Sequence, residues 1–440
     1  MKRLIQIVCV VSILAALHSA AMAVDITTVP VSNVGNIADG FSGGYGGVDY
    51  EYNIGKYEVT TSQYVEFLNK VAKSDTYGLY NGDMVNLSGT GCGIVRSDSL
   101  GKYSYSVAQD RANRPVNFVS WGDAARFANW MHNGQPSGAQ DLTTTEDGAY
   151  FLNGATTDAQ LLAVTRESDW EWALPALDEW YKAAYHKNDG VTGNYYHFPT
   201  KSDSSPGYVT DSGKLSTTGA SFVEGGTDPG GYATYDGDYG IDGIGGPYWR
   251  TEVGEWENSP SPYGTFDQGG NVWEWNEEIF VDTLRGLRGG SYNRVASFML
   301  SLPWYGSDPA RENEKMGFRL AKIAPDTIYA DAGGFYTLTS GADLTLDGSG
   351  SFAADDIVSW LWDYDGDGEY DDGSGETVII PFQYWSGVLG WKPDGQYTIG
   401  LEIHTFDGAV DQGSALVIPE PSSAVLLLLG LGAAICRRRS

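Results

Sequence analysis

Between residues 187 and 265 the chain offers short strand candidates separated by long loops of Gly, Asp, Ser and Tyr, such as "TDPGGYATYDGDYGIDG". So much irregular backbone within one domain is unusual. Its peptide groups still need partners, so the loops must be packed by aromatic side chains or clipped by ions. The chain's 58 glycines fit such a loop-rich body.

Against this background the sequence predicts three helices. In "TTSQYVEFLNKVA", Thr60 or Thr61 caps and Tyr64, Phe67, Leu68 and Val71 share one face. "SWGDAARFANWMHNG" opens with a Ser120-x-x-Asp123 capping box, buries Ala124, Phe127, Trp130 and Met131, and ends at Gly134. "LPALDEWYKAAYH" is expected to start at Pro175, a favoured first-turn residue, and to bury Leu177, Trp180 and Ala184.

The two ends read as addresses rather than as fold. Residues 1–23 have the three parts of a secretory signal: Lys2 and Arg3, an apolar run from Leu4 to Leu17, and Ala21-Met22-Ala23, with cleavage expected after Ala23. At the far end, Pro419-Glu420-Pro421 precedes the apolar run Ala424–Cys436 and then Arg437, Arg438 and Arg439. That run spans roughly 20 Å as a helix, short of the ~30 Å hydrocarbon core, though the arginines stand where positive-inside orientation places them. The segment 419–440 resembles the PEP-CTERM sorting signal. The resemblance implies transient membrane anchoring, processing by exosortase-type machinery, and delivery to the outer surface or extracellular matrix of a Gram-negative bacterium.

The formal net charge is −30, and five of the 27 basic residues lie in the two ends, so the body is more acidic still. Such a field repels nucleic acid and favours bound cations; no nucleic-acid partner is expected. Cys9 and Cys436 belong to the ends, leaving Cys92 alone in "GTGCGIV". One thiol forms no internal disulfide, so the exported chain must rest on its core and on metal ions. Cys92 itself reads as a reactive thiol or, more commonly for such residues, as a half-buried one.

Composition shifts near Ala324-Pro325. Beyond it, "YTLTSGADLTLDGSGS", "DIVSWLWDYDG", "ETVIIPF", "GQYTIGLEIHTFDG" and "SALVI" alternate as antiparallel strands do. Residues 325–418 therefore read as a small all-β sandwich, and "LTLDGSGS" with "IVSWLWDYDGDG" resembles PKD/immunoglobulin-like modules, implying a spacer or adhesion role. In "DYDGDGEYDDGS", Asp363, Asp365, Asp367 and Gly368 follow the D-x-D-x-D-G calcium pattern, with Asp371 at the ninth position. The twelfth position is Ser374 rather than a glutamate, so the loop binds calcium weakly or is a solvated β-turn.

After a lead-in strand and loop at 24–47, six segments follow in order over 48–324: "IGKYEVTTSQYVEFLN", "RPVNFVSWGDAARFANW", "LPALDEWYKAA", "YGTFDQGGNVWEW", "LRGGSY" and "GFRLA". Together they resemble the formylglycine-generating enzyme (sulfatase-modifying factor) family. The resemblance implies an α+β, loop-rich, C-type-lectin-like domain with bound calcium. In that family the segment matching "FDQGGNVWEW" holds calcium, which carries over to Asp267, Gly270, Val272 and Glu274; oxygen-only donors suit a hard cation.

Active members also carry two cysteines, five positions apart after Gly-Gly-Ser-Tyr, that bind copper(I) and oxidise a substrate thiol. Aligned on Gly289-Gly290-Ser291-Tyr292, those positions are Arg294 and Met299 here. A guanidinium and one thioether cannot replace a thiolate pair, so no copper is expected. No iron is expected either, because none of His132, His186, His197 and His404 sits in a His-x3-His-x-Glu pattern. The expectation is an exported, calcium-stabilised binding or structural protein; the alternative is an oxidoreductase with a non-standard site around Cys92. Aromatics make up 13% of residues, and Trp249, Trp256, Ser291, Tyr292, Arg294 and Trp304 are the groove candidates for a polysaccharide or surface-protein ligand.

Overall fold

A computed structural model describes residues 23–210, 214–215, 223, 225–237, 243–302, 305–325 and 327–419. Residues 1–22 of the expected secretory signal, the tail from Glu420 onward and Trp304 lie outside the described residues. Among the described residues, no helix is long and apolar enough to cross a membrane.

The three expected helices form at Thr61–Val71, Trp121–His132 and Leu177–Tyr185. Thr60 and Ser120 cap the first two, each in a reciprocal box with the residue three positions on, Gln63 and Asp123. The third starts later than expected. Pro175 lies outside it, and Ala176 takes the cap position because its N–H donates to Glu179 Oε2 at 2.6 Å. An acidic side chain has done the capping that no Ser or Thr was available to do.

Two four-stranded sheets carry the large domain. One is antiparallel throughout, in the order Thr28–Val31, Tyr52–Gly55, Ala321–Ile323, Trp172–Ala173. In the other, Trp273–Phe280 pairs antiparallel with Leu284–Arg288 and parallel with Met316–Gly317, and Tyr305–Ser307 lies on the far edge. The first sheet thus joins the two ends of the domain. Between sheets and helices sits an aromatic core in which Phe127 meets Phe67 at 5.2 Å and Phe318 at 5.4 Å, both edge-on.

Residues beyond 327 form the predicted all-β sandwich. A five-stranded sheet, ordered Tyr336–Leu338, Val410–Pro419, Tyr397–Thr405, Ile357–Asp363, Gly373–Ser374, accompanies the antiparallel pair Leu344–Asp347/Thr377–Ile380. The inward residues Leu346, Trp362, Ile380, Ile399, Leu401, Ile403 and Val417 make one core. A short helix, Phe382–Gly387, which alternation could not reveal, closes one end by burying Trp385.

The two domains share packing. Phe352 from the C-terminal part belongs to the large domain's core, 4.6 Å from Tyr50 and 5.7 Å from Trp170, while Tyr329 tilts its ring against Tyr50 at 5.3 Å. Thr327 Oγ1 donates to the Glu51 carbonyl at 3.1 Å. A freely swinging spacer would show no such joint.

Candidate functional site

Glu274 is the second residue of the strand Trp273–Phe280, and neither it nor Arg319 has any solvent exposure. The Arg319 fork grips it twice, Nε to Oε2 at 2.5 Å and Nη2 to Oε1 at 2.7 Å, and Trp180 Nε1 donates to Oε2 at 2.7 Å. Arg319 also donates to the carbonyls of Gly55 at 2.8 Å and Phe266 at 2.7 Å. The family resemblance assigned Glu274 to calcium, and a buried carboxylate between Trp273 and Trp275 does need a counter-charge. Arg319 already supplies one, and the charge inside the apolar run "MGFRLA" was its signal.

Asp267 lies nearby in the loop, with a left-handed φ of 61°. Its Oδ2 accepts the Gly254 N–H at 2.6 Å. Desolvation pushes its carboxyl up to about 6; that backbone bond and Arg319 oppose the rise, and Glu274 adds to it. Gly270 needs its missing side chain: φ is +87°, and a Cβ would stand 2.2 Å from the Thr234 carbonyl oxygen. Val272 is fully buried.

The sequence reading missed Glu58. It is 1% exposed and faces the same loop, with Oε1 accepting Val272 N–H at 3.1 Å and Oε2 accepting Asn271 Nδ2 at 2.7 Å. Burial raises its pKa well above the ordinary range, and the Asp267 and Glu274 charges add to that rise. The other carboxamide atom, Asn271 Oδ1, is buried with no hydrogen-bond partner. The donors present fit a hard cation: only oxygens, an excess of carboxylates over guanidinium, and an orphaned acceptor.

Among the described residues, the acidic turn of the sandwich is the one place where three carboxylates converge. Asp363, Asp365 and Asp367 bring one carboxylate oxygen each to within 4.8 Å of one another. Asp363 accepts the Gly366 and Gly368 N–H groups, at 2.7 and 3.1 Å. Asp371 stays outside this group, and its neighbour Asp372 instead closes the loop by accepting from Tyr364 and Asp365 N–H, both at 2.8 Å.

Among the described groove candidates, Trp256, Ser291 and Tyr292 are packed inside the domain. Trp256 is buried against Tyr232, its ring centroid 5.4 Å away, and donates Nε1 to Thr234 Oγ1 at 2.9 Å. Ser291 and Tyr292 are buried as well. Trp249, half-buried, tilts over Tyr292 at 6.2 Å, and Tyr292 in turn stands 5.8 Å from the buried Arg250 guanidinium. Desolvation pushes the Tyr292 hydroxyl up to about 12. Ring composition alone could not separate these packing roles from a ligand face. Open clefts lie elsewhere. One of about 390 Å³ is lined by His132, Asp147, Phe151 and Glu167. Another, of about 600 Å³ at the domain junction, is lined by Glu167, Asp169, Asp355, Asp356 and Trp360.

Arg294 is half-buried, with its guanidinium 5.6 Å from the Phe298 ring. Met299 is buried beside Phe198, Ala233 and Tyr235. Cys92 is a buried free thiol whose pKa desolvation pushes up, with Arg250 only partly opposing. A thiol held protonated is a poor nucleophile and a poor metal ligand. The histidines are engaged too. His132 Nδ1 accepts Glu171 N–H at 2.9 Å, His186 bonds Tyr263 at 2.8 Å, and His404 bonds Glu402 at 2.7 Å.

This arrangement, two small sheets tied by a buried arginine–carboxylate pair, coincides with a family assignment: the sulfatase-modifying factor enzyme 1-like domain matches residues 48–324. The chain belongs to that family. A PEP-CTERM protein-sorting motif matches residues 417–440, which makes it an exported, cell-surface-sorted member. Among solved structures it is similar to CarF, at 21% identity over 68% of this chain and 99% of that one, with a TM-score of 0.40. Variable protein 1 of Treponema denticola gives 17%, 68%, 95% and 0.37 in the same order. The PKD domain of the KIAA 1837 protein gives 26%, 21%, 84% and 0.16. No curated protein matches the chain.

Proposed function

We propose that the protein is a calcium-stabilised binding or structural module of the outer cell surface or matrix, built on a sulfatase-modifying-factor domain without its thiol chemistry. One observation carries this reading: Arg294 and Met299 stand where the active family has its cysteine pair, and Cys92, the one thiol in the described residues, is sealed in the core. Calcium would be held by Asp267, Glu274 and the carbonyls of Gly270 and Val272, with a weaker second ion at Asp363, Asp365 and Asp367. At the first position the ion would offset carboxylate charge that Arg319 alone does not balance. A polysaccharide or surface-protein ligand would meet the acidic clefts around Glu167 rather than the packed rings of Trp256 and Tyr292. Sorting through exosortase-type machinery would place the module where such ligands are found.

The test is metal analysis of the purified processed protein, with melting curves in EGTA and in calcium. Bound calcium, a melting temperature lowered by EGTA, and no oxidation of a thiol peptide under oxygen are expected. Stoichiometric copper with thiol oxidation would overturn the reading.

A further inference from the structure

We infer that Glu58 and Asn271 complete the divalent-cation site of the 267–274 loop, Glu58 as its charge-supplying and positioning residue and Asn271 as an added oxygen donor. This rests on the reading of that loop as a calcium site, and it extends the site to a residue 209 positions before its first ligand, Asp267.

Charge comes first. Arg319 is the guanidinium ion-paired within this cluster, its fork on Glu274, and the buried Arg250 also feels the Glu58 charge. Glu58 makes no ion pair among the described residues, and neither does Asp267. With Glu274 neutralised, the two remaining carboxylates carry the charge that one divalent ion balances. Glu58 sits in the lead-in to the helix Thr61–Val71, a different part of the chain from the loop, so folding of the domain core brings its charge there.

Geometry points the same way. Both Glu58 oxygens are turned to the loop, one on Val272 N–H and one on Asn271 Nδ2. The first bond holds the Asn271–Val272 peptide, which lies between the two proposed carbonyl donors, Gly270 and Val272. The second fixes which way the Asn271 carboxamide faces, and so leaves Oδ1 as the atom without a donor. A fully buried acceptor with no donor has an electrostatic demand that a hard cation meets directly. A purely structural Asn–Glu clamp would have no use for that orphaned oxygen.

Glu58→Gln separates support for the fold from support for the ion. The processed chain would carry Asp365→Asn and Asp367→Asn throughout, to silence the sandwich loop. Calcium affinity would be measured by calorimetric titration and the melting temperature in EGTA and in calcium chloride. Glu58→Gln should weaken calcium binding about tenfold or more, yet melt no lower than the background protein in EGTA, because it removes an uncompensated charge. Asn271→Asp, at a position already left-handed, should do the reverse: a lower melting temperature in EGTA and a larger rise with calcium. If the background protein ignores calcium, the calcium reading itself falls. If the background responds and Glu58→Gln binds calcium equally well, or fails to fold in EGTA, the inference about Glu58 is overturned while the loop site stands.

Discussion

The large domain encloses Glu58, Arg126, Glu146, Glu179, Glu274, Arg288 and Arg319 at 2% exposure or less, whereas Asp363 is the one Asp, Glu, Lys, Arg or His buried in the described part of the sandwich. The difference follows from the backbone. In the sandwich, long strands such as Tyr397–Thr405 satisfy their own peptide groups in ladders, so the core needs only apolar side chains. In the loop-rich domain many carbonyls have no ladder partner, and guanidinium forks collect them. Arg126 binds Glu146 through two nitrogens and also donates to the Ala155 carbonyl at 2.8 Å; Arg285 reaches the carbonyls of Leu161 and Glu277, the first at 2.8 Å. Buried charge here substitutes for secondary structure.

The sharpest way to break this contrast is Glu274→Ala in EGTA, which leaves Arg319 buried without its counter-charge. Urea unfolding should show a loss of about 3–5 kcal/mol; a loss under 1 kcal/mol would mean that the pair does not organise the domain. In the sandwich the matching test is apolar. Leu401→Ala in the central strand should cost about 2–5 kcal/mol, with no dependence on salt or calcium.

Tyr329→Ala probes the joint between the two regimes. It removes ring contacts to Tyr50 and Phe352 worth about 1 kcal/mol beyond their area. Calorimetry should then resolve two transitions from one; a single transition in the variant would show that the joint does not couple the domains.

A pH series sharpens the comparison further, because among the described residues the strongly raised carboxyls lie in the large domain. Glu312, hydrogen-bonded to Asp123, is pushed up to about 8 by burial and by the Asp123 charge. Between the unfolded value near ~4.3 and 8, the folded chain binds more protons than the unfolded one. Its contribution to stability is therefore fully present at low pH and is lost as pH rises through that window. Urea midpoints at pH 5, 6.5 and 8 should fall in that order, and Glu312→Gln should flatten the trend. The smallest effect is expected from Asp365→Asn at the exposed turn, within about 0.5 kcal/mol without calcium.

Local patterns were legible in the sequence, and long-range polar partners were not. Thr60, Ser120 and Asp123 announced their caps, and period-two alternation located the sandwich strands. The start of the third helix escaped because Glu179, not a hydroxyl, caps it. Glu58 escaped because "YEVTT" looks like a solvated charge ahead of a helix, and its partners are 213 and 214 residues away. Arg319 stood in a quoted motif without a role, since a fork that collects carbonyls from Gly55 and Phe266 leaves no local spacing. The packed rings of Trp256 and Tyr292 were indistinguishable from ligand-facing ones by type alone.

The last strand, Val410–Pro419, runs inside its sheet, flanked by Tyr336–Leu338 and Tyr397–Thr405, and ends on the first residue of the sorting motif. Tension applied to the tail by a translocating or tethering machine would therefore act along the strand and shear both ladders at once instead of unzipping one bond at a time. A pull on the tail would therefore load a strand that is held along both of its edges.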